Sequence, residues 1–342
     1  MEKALYWFNE LGEQFNDVVG KKCANLGEMT KLNMRVPHGF AISVRGFEEF
    51  MERTGLAHEV RSYLGGMKDS LWQVEVCRNA SREIQEMIES TAMPEDLKEG
   101  ICSYYRDLSE KSGRKNVPAA VRSSGIVSMP GQMDTYLNVI GGESIVEHVK
   151  KVWSSVYSTR AITFRLKQGV QMEYAPIGVA VMMLVDAKAA GVILTVLPQT
   201  GDTTKAVIEG NWGLGESVVS GEITPDCFTV DKGKLDIIDQ KVARKVGMVK
   251  QHGSGTVYEP VPEGLVDAPC LQREEIKEIA KVALSVEKHF GVPQDMEWVV
   301  DANLPFPENI FWVQARPAKF SVPQKTNEID YIVDLMARLF VN

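Results

Sequence analysis

The chain has 342 residues, 44% hydrophobic and 25% charged, enough for a sizeable core and for two lobes. Its net charge of −8 argues against a nucleic-acid partner, which calls for a basic face, yet leaves room for a local cationic cluster that binds an anion. Five scattered cysteines without a C-x-x-C pair point away from a disulfide framework or zinc site and toward a reducing cytoplasm. No apolar run reaches the roughly 18–20 residues of a membrane span, and the acidic amino-terminal stretch has no signal-peptide core.

In chain order, "GKKCANLGEM" (Gly20 to Met29) sets two lysines beside small residues; on local grounds a surface position is the expected one. "MRVPHGFAIS" (Met34 to Ser43) reads as a turn leading into a short strand. From Val44 to about Tyr105 the pattern is helical, with Val76, Ile84, Met87 and Ile88 at helical spacing and Asp69-Ser70 as the expected cap. A strand then enters "AVRSSGIVSMPGQMDTYLNV", whose small-sided loop runs from Arg122 to Met133. One helix is expected from Ser144 to Gly169. After Pro176 the composition turns β-branched, with Gly191 expected in a turn and "DKGK" in a hairpin turn, and one helix, "REEIKEIAKVALSVEKHFG", interrupts the strands. A helix-rich half thus meets a strand-rich half near 176–190. The expected architecture is α+β with two lobes, and the cleft between them is the default ligand site.

Two stretches carry chemistry. Exposed N–H groups of a Gly/Ser loop can form an anion nest, and Arg122 just before it offers a planar, permanently charged fork. The usual phosphate-loop and dinucleotide motifs are absent, and "GNWGLGES" has a different glycine spacing. In "QDMEWVVD", Asp295 and Glu297 alternate along a strand; in "FWVQARP", Gln314 and Arg316 do the same on the expected hairpin partner. Two carboxylates, an amide and a guanidinium on one sheet face suit Mg²⁺ shared with a phosphate, the alternative being a solvated outer face.

Together with "VPHGFAIS", "AAGVILTVLPQTGD" and "NWGLGESVVSGEITPD", these blocks resemble, in order over residues 18 to 317, the amino-terminal ATP-binding portion of the phosphoenolpyruvate synthase and pyruvate phosphate dikinase family. The resemblance implies a two-lobed, ATP-grasp-like fold with the ATP cleft between lobes 1–180 and 181–320, followed by a tail helix over 321–342. It implies Lys22, Arg122 and Arg316 as catalytic residues and Glu297 with Gln314 as the holders of Mg²⁺, supported by Asp295. It places Ser123, Ser124, Gly125, Gly131 and Thr135 over the phosphates, and adenine against Met182, Met183, Leu184 and Val185. In this family the β,γ-phosphates of ATP pass to a histidine on another domain and AMP leaves. None of the five histidines here lies in the expected Gly-Gly-x-Thr/Ser-x-His run, and His148 is expected to face solvent. The implied partner is therefore a separate histidine-bearing subunit, as in the split form that phosphorylates phenol, phenylphosphate synthase. The alternatives are a phosphoenolpyruvate synthase or dikinase with pyruvate as acceptor, and a non-catalytic nucleotide sensor.

Overall fold

A computed structural model describes residues 3–67, 70–126, 133–170, 175–219 and 221–320. The elements are β1 (Leu5–Trp7), α1 (Asn16–Lys31), β2 (Gly39–Ile42), α2 (Val44–Arg53), α3 (Leu56–Gly65), α4 (Val74–Ser90), α5 (Glu95–Lys111), β3 (Ala119–Gly125), β4 (Thr135–Val139), α6 (Gly142–Ser154) and α7 (Thr159–Gln168). They continue as β5 (Ile177–Met183), β6 (Ala187–Leu194), β7 (Lys205–Trp212), α8 (Glu216–Val219), β8 (Asp226–Asp231), β9 (Ile237–Lys241), β10 (Gly247–His252), β11 (Gly255–Pro260), α9 (Arg273–Phe290), β12 (Gln294–Asp301) and β13 (Ile310–Pro317). The class is α+β, as the sequence suggests. Among the described residues the strands form one sheet in the order β1-β2-β5-β3-β4 and a second in the order β13-β12-β6-β7-β8-β9, while β10 and β11 make a separate hairpin.

Alternation along β5 explains the layering. Ile177, Val179 and Val181 face a core shared with α2–α7, whereas Ala180 and Met182 face a second core shared with α1 and the other sheet. The first core is centred on Trp153, stacked on Phe50 at 5.1 Å. The second runs from Cys23, Leu26 and Met29 of α1 to Ile276, Ile279 and Val286 of α9. The expected lobe boundary at 180 falls inside β5, all of which pairs within the first sheet; the second sheet begins with β6.

Four local expectations need correction. α4 starts at Val74 after Gln73, and the Ser70 hydroxyl donates to Met67 O instead of capping it; Asp69 lies outside the described residues. The helix expected from Ser144 to Gly169 is broken by a 3-10 turn at Ser155–Tyr157, after which Ser158 caps α7 by accepting the Ala161 N–H at 3.3 Å. Gly191 is not in a turn but inside β6, opposite Gly210, and both glycines make room for the indole of Trp298. His148 is half-buried, its ring 5.0 Å from that of Tyr136 and its Nδ1 2.7 Å from Ser144 O. The "DKGK" turn and the α9 helix stand as read, α9 opening with a Gln272/Glu275 capping box and ending at left-handed Gly291.

α1 has a kink at Gly20, where φ is 77° and ψ is 162°. A Cβ there would run into the carbonyl of Ser124 on β3. Gly20→Ala therefore combines positive-φ strain of about 1–3 kcal/mol with a backbone overlap that cannot rotate away. We expect at least about 2 kcal/mol of lost stability, read from the urea midpoint. Gly55→Ala is the control: its φ is 83° but nothing lies within 4 Å of the added carbon, so it should carry the strain alone. Equal costs for the two would reject the contact with Ser124 as the reason for Gly20.

Candidate nucleotide site between the two sheets

β12 and β13 pair in the register that places Glu297 opposite Gln314 and Asp295 opposite Arg316. The four groups share one face of the second sheet, as their alternation predicts. Arg316 Nη2 closes on Asp295 Oδ2 at 2.7 Å. Arg122 reaches across from β3: its Nη2 donates to Glu297 Oε2 at 2.8 Å and to Gln314 Oε1 at 3.3 Å, and its Nη1 donates to Val313 O at 3.1 Å. Its buried Nε has no partner among the described residues. Burial pushes the Glu297 carboxyl up, but the charge and hydrogen bond of Arg122, with Lys22 and Arg316 beyond, hold it below the ordinary glutamate value.

Lys22 is half-buried, in contrast to the surface position its local sequence suggests, while Lys21 is exposed. It stands in the first turn after the Gly20 kink. The next residue, Cys23, donates its N–H to Ser124 Oγ at 3.0 Å, so a serine from β3 supplies the cap that α1 lacks in its own sequence. Among the described residues Lys22 Nζ has no hydrogen-bond partner. Burial, then the nearby Arg122, lower its pKa from 10.5 to about 8, with Glu297 opposing. Three cations and two carboxylates thus meet at one place, which leaves a positive balance for an anion.

Arg122 and Glu297 of this cluster line a cavity of about 510 Å³, a size that suits a small ligand. Met182, Met183, Leu184 and Val185 line it as well, with Ala190, Gly191 and Trp298. The Met183 and Leu184 N–H groups are taken by His38 O and Pro118 O, both at 2.8 Å, whereas the Val185 N–H has no backbone partner among the described residues. A larger groove of about 630 Å³ along α4 is an open surface lined by Arg78, Arg82, Glu86 and Glu89, without the apolar wall that a planar base needs.

Thr135 lines the cavity, while Ser123 and Ser124 are buried in β3 outside it and Gly125 ends that strand. Gly131 and the rest of the loop between 127 and 132, together with the expected tail helix, lie outside the described residues. Local sequence reasoning missed Glu216, whose exposed side chain stands at the cavity wall, its carboxyl raised by desolvation and steadied by the Thr256 hydroxyl at 3.3 Å. The signal was the "GLGES" run itself: Gly213, at φ 74°, turns the chain so that Leu214, Gly215 and Glu216 face inward. It also missed Asn25, whose Nδ2 donates to Ala315 O at 2.8 Å.

Glu297 and Gln314 offer two adjacent oxygens that fit a cation such as Mg²⁺, which keeps waters and shares its ligands with phosphate. No group of three or more His, Cys, Asp or Glu side chains converges anywhere among the described residues, so the protein alone offers no closed metal cage. No helix among them is long and apolar enough to cross a membrane.

An apolar cavity lined by Arg122 and Glu297, with Lys22, Gln314 and Arg316 in the same charged cluster, is the candidate nucleotide site, and comparison with known sequences gives its lineage. The family model described as pyruvate phosphate dikinase, AMP/ATP-binding domain, matches residues 16–334, and the chain belongs to this family. It is 38% identical to a probable phosphoenolpyruvate synthase of Staphylothermus marinus, over 92% of this chain and 41% of that protein. It is 38% identical to one of Methanocaldococcus jannaschii, over 92% and 26%, and 36% identical to the phosphoenolpyruvate synthase of Aeropyrum pernix, over 93% and 42%. The chain therefore spans less than half the length of these relatives.

Proposed function

We propose that this chain binds Mg-ATP and passes its β,γ-phosphates to a histidine carried on another unit, releasing AMP. The observation that carries this reading is the convergence of Lys22, Arg122, Glu297, Gln314 and Arg316, two of which, Arg122 and Glu297, line the apolar cavity. Adenine lies against Met182–Val185, with the Val185 N–H as a donor to the base. Lys22, Arg122 and Arg316 face the phosphates and draw off the charge that builds on them as the bond to AMP breaks. Mg²⁺, held by Glu297 and Gln314 with Asp295 steadying Arg316 beside them, neutralises phosphate charge when bound. Arg122 donates to those same two oxygens, so a phosphate that draws it away would leave them free for the cation. The nucleophile is the histidine nitrogen of the other unit: it attacks the β-phosphorus, and the oxygen bridging to the α-phosphate leaves with AMP.

None of the five histidines of this chain lines the cavity, which supports an accepting histidine elsewhere, either in the same polypeptide or on a partner. The names of the relatives favour pyruvate as the acceptor of the whole system.

Calorimetry of the nucleotide-free chain with Mg-ATP tests the site. Lys22 titrates near 8, and a bound triphosphate favours its charged form, so binding should take up a proton around pH 8 and above. Affinity should be full below pH 8 and fall by up to about tenfold per unit as pH rises beyond it. Lys22→Met should abolish that pH dependence. Tight binding at pH 9 with no proton uptake would remove Lys22 from the phosphate site.

A further inference from the structure

We infer that Asn25 is a positioning residue, holding the Lys22 turn of α1 against the edge of the second sheet and so fixing where the amine sits relative to Gln314 and Arg316. β13 is the edge strand of its sheet, so its outward carbonyls have no ladder partner. Among the described residues two side chains of the first lobe reach them: Arg122 donates to Val313 O and Asn25 to Ala315 O. Arg122 is committed to Glu297 and Gln314 as well, and on the proposed function it must also meet phosphate. Asn25 has no such second duty: it lines no part of the cavity, and its carboxamide donates to the main-chain oxygen set between Gln314 and Arg316.

Lys22 and Asn25 are three residues apart on one helix, hence on neighbouring faces of successive turns. On the other side of the same turn, Ser124 accepts the Cys23 N–H. The segment 22–25 is thus pinned to the first sheet by Ser124 and to the second by Asn25, and only the second pin spans the two halves of the site. The plainer reading is that Asn25 merely satisfies a half-buried carbonyl. It predicts a loss of stability and nothing more, whereas a positioning role predicts that the surroundings of Lys22 change.

The test uses Asn25→Leu, which keeps the shape and the neutral charge but has no donor, and Asn25→Gln, which keeps the donor on a longer arm. The pH midpoint for acylation of Lys22 by acetic anhydride, followed by peptide mass spectrometry, is measured in the nucleotide-free chain. Wild type should titrate near 8. Asn25→Leu should move the midpoint upward by a pH unit or more, as the amine leaves its buried place, and weaken Mg-ATP binding by about tenfold, while Asn25→Gln should recover part of both. An unchanged midpoint and affinity in Asn25→Leu, with only the unfolding midpoint lowered, overturns the proposal. If Asn25→Leu does not fold, the same two readings on Asn25→Gln and Asn25→Ala decide, wild-type values in both counting against it. The inference about ATP rests on the proposed function, but the labelling does not: wild type failing to bind Mg-ATP would remove that function and leave the midpoint comparison standing.

Discussion

Glu297→Gln is expected to slow AMP formation by about 10²–10³-fold while leaving nucleotide affinity within a few-fold, because the substitution removes charge and little else. Glutamine has nearly the volume of glutamate and still presents one oxygen to Arg122, so the contact that now spans 2.8 Å can persist. What disappears is the negative charge that attracts a cation. Glu297 also opposes the lowering of the Lys22 pKa, so its neutralisation should push Lys22 further down and shift the affinity loss to lower pH. Transfer catalysis depends on charge placed where the phosphate charge develops, whereas binding is spread over the adenine wall and three cations. The measurement is AMP release in an assembly that supplies the accepting histidine, set beside calorimetric binding to the chain alone. Wild-type turnover in the variant would take Glu297 out of the reaction.

The second large effect falls away from the cleft. Asp226 and Lys245 are both fully buried, with Oδ1 and Nζ 2.6 Å apart. Asp226 also accepts the Ala243 N–H and the Cys270 N–H, each at 2.8 Å, so one carboxylate at the head of β8 ties down both flanks of the β10–β11 hairpin. Lys245→Met leaves that carboxylate buried without its cation, and Asp226→Ala strands the ammonium and two N–H donors. Each should cost about 3–5 kcal/mol, since an uncompensated charge in the interior is worse than an apolar pair. The double variant Asp226→Ala/Lys245→Met should be less damaged than the sum of its parts. Urea unfolding of the four proteins gives the answer, and a single variant losing under about 1 kcal/mol would show that the pair is readily replaced.

The strands of the site were more legible than its helices. Alternation alone placed Asp295 and Glu297 on one face and Gln314 and Arg316 opposite them, because side-chain direction in a strand repeats every two residues and a hairpin fixes the rest. Lys22 was not legible, because its burial comes from a kink at Gly20 that only the Ser124 carbonyl explains, 104 positions further along the numbering. Gly191 looks like a turn because flanking small residues normally mean one; the bulk of Trp298, far along the chain, makes it a strand residue instead. The break at Ser155–Tyr157 is signalled only by Ser158, a cap inside an otherwise continuous helical pattern. Arg122 was legible as a cation facing the site, but its rest on Glu297 and Gln314 was not, since the two sheets meet through contacts of very long range.

The grip of Arg122 and Asn25 on β13 has a mechanical meaning. Both hold main-chain oxygens, two residues apart, so the joint is indifferent to which side chains stand at 313 and 315. It is strict about spacing, however. Successive outward carbonyls along a strand recur about every 6.6–6.8 Å, so a shift of one lobe along β13 by less than that distance leaves at least one donor facing no acceptor. Sliding is therefore confined to steps as long as two residues, and a step of that size would carry Lys22 away from Gln314 and Arg316 altogether. The Trp312 N–H donates to Arg35 O at 2.8 Å on the same strand, so a third contact of the first half, this one main chain to main chain, enforces the same register.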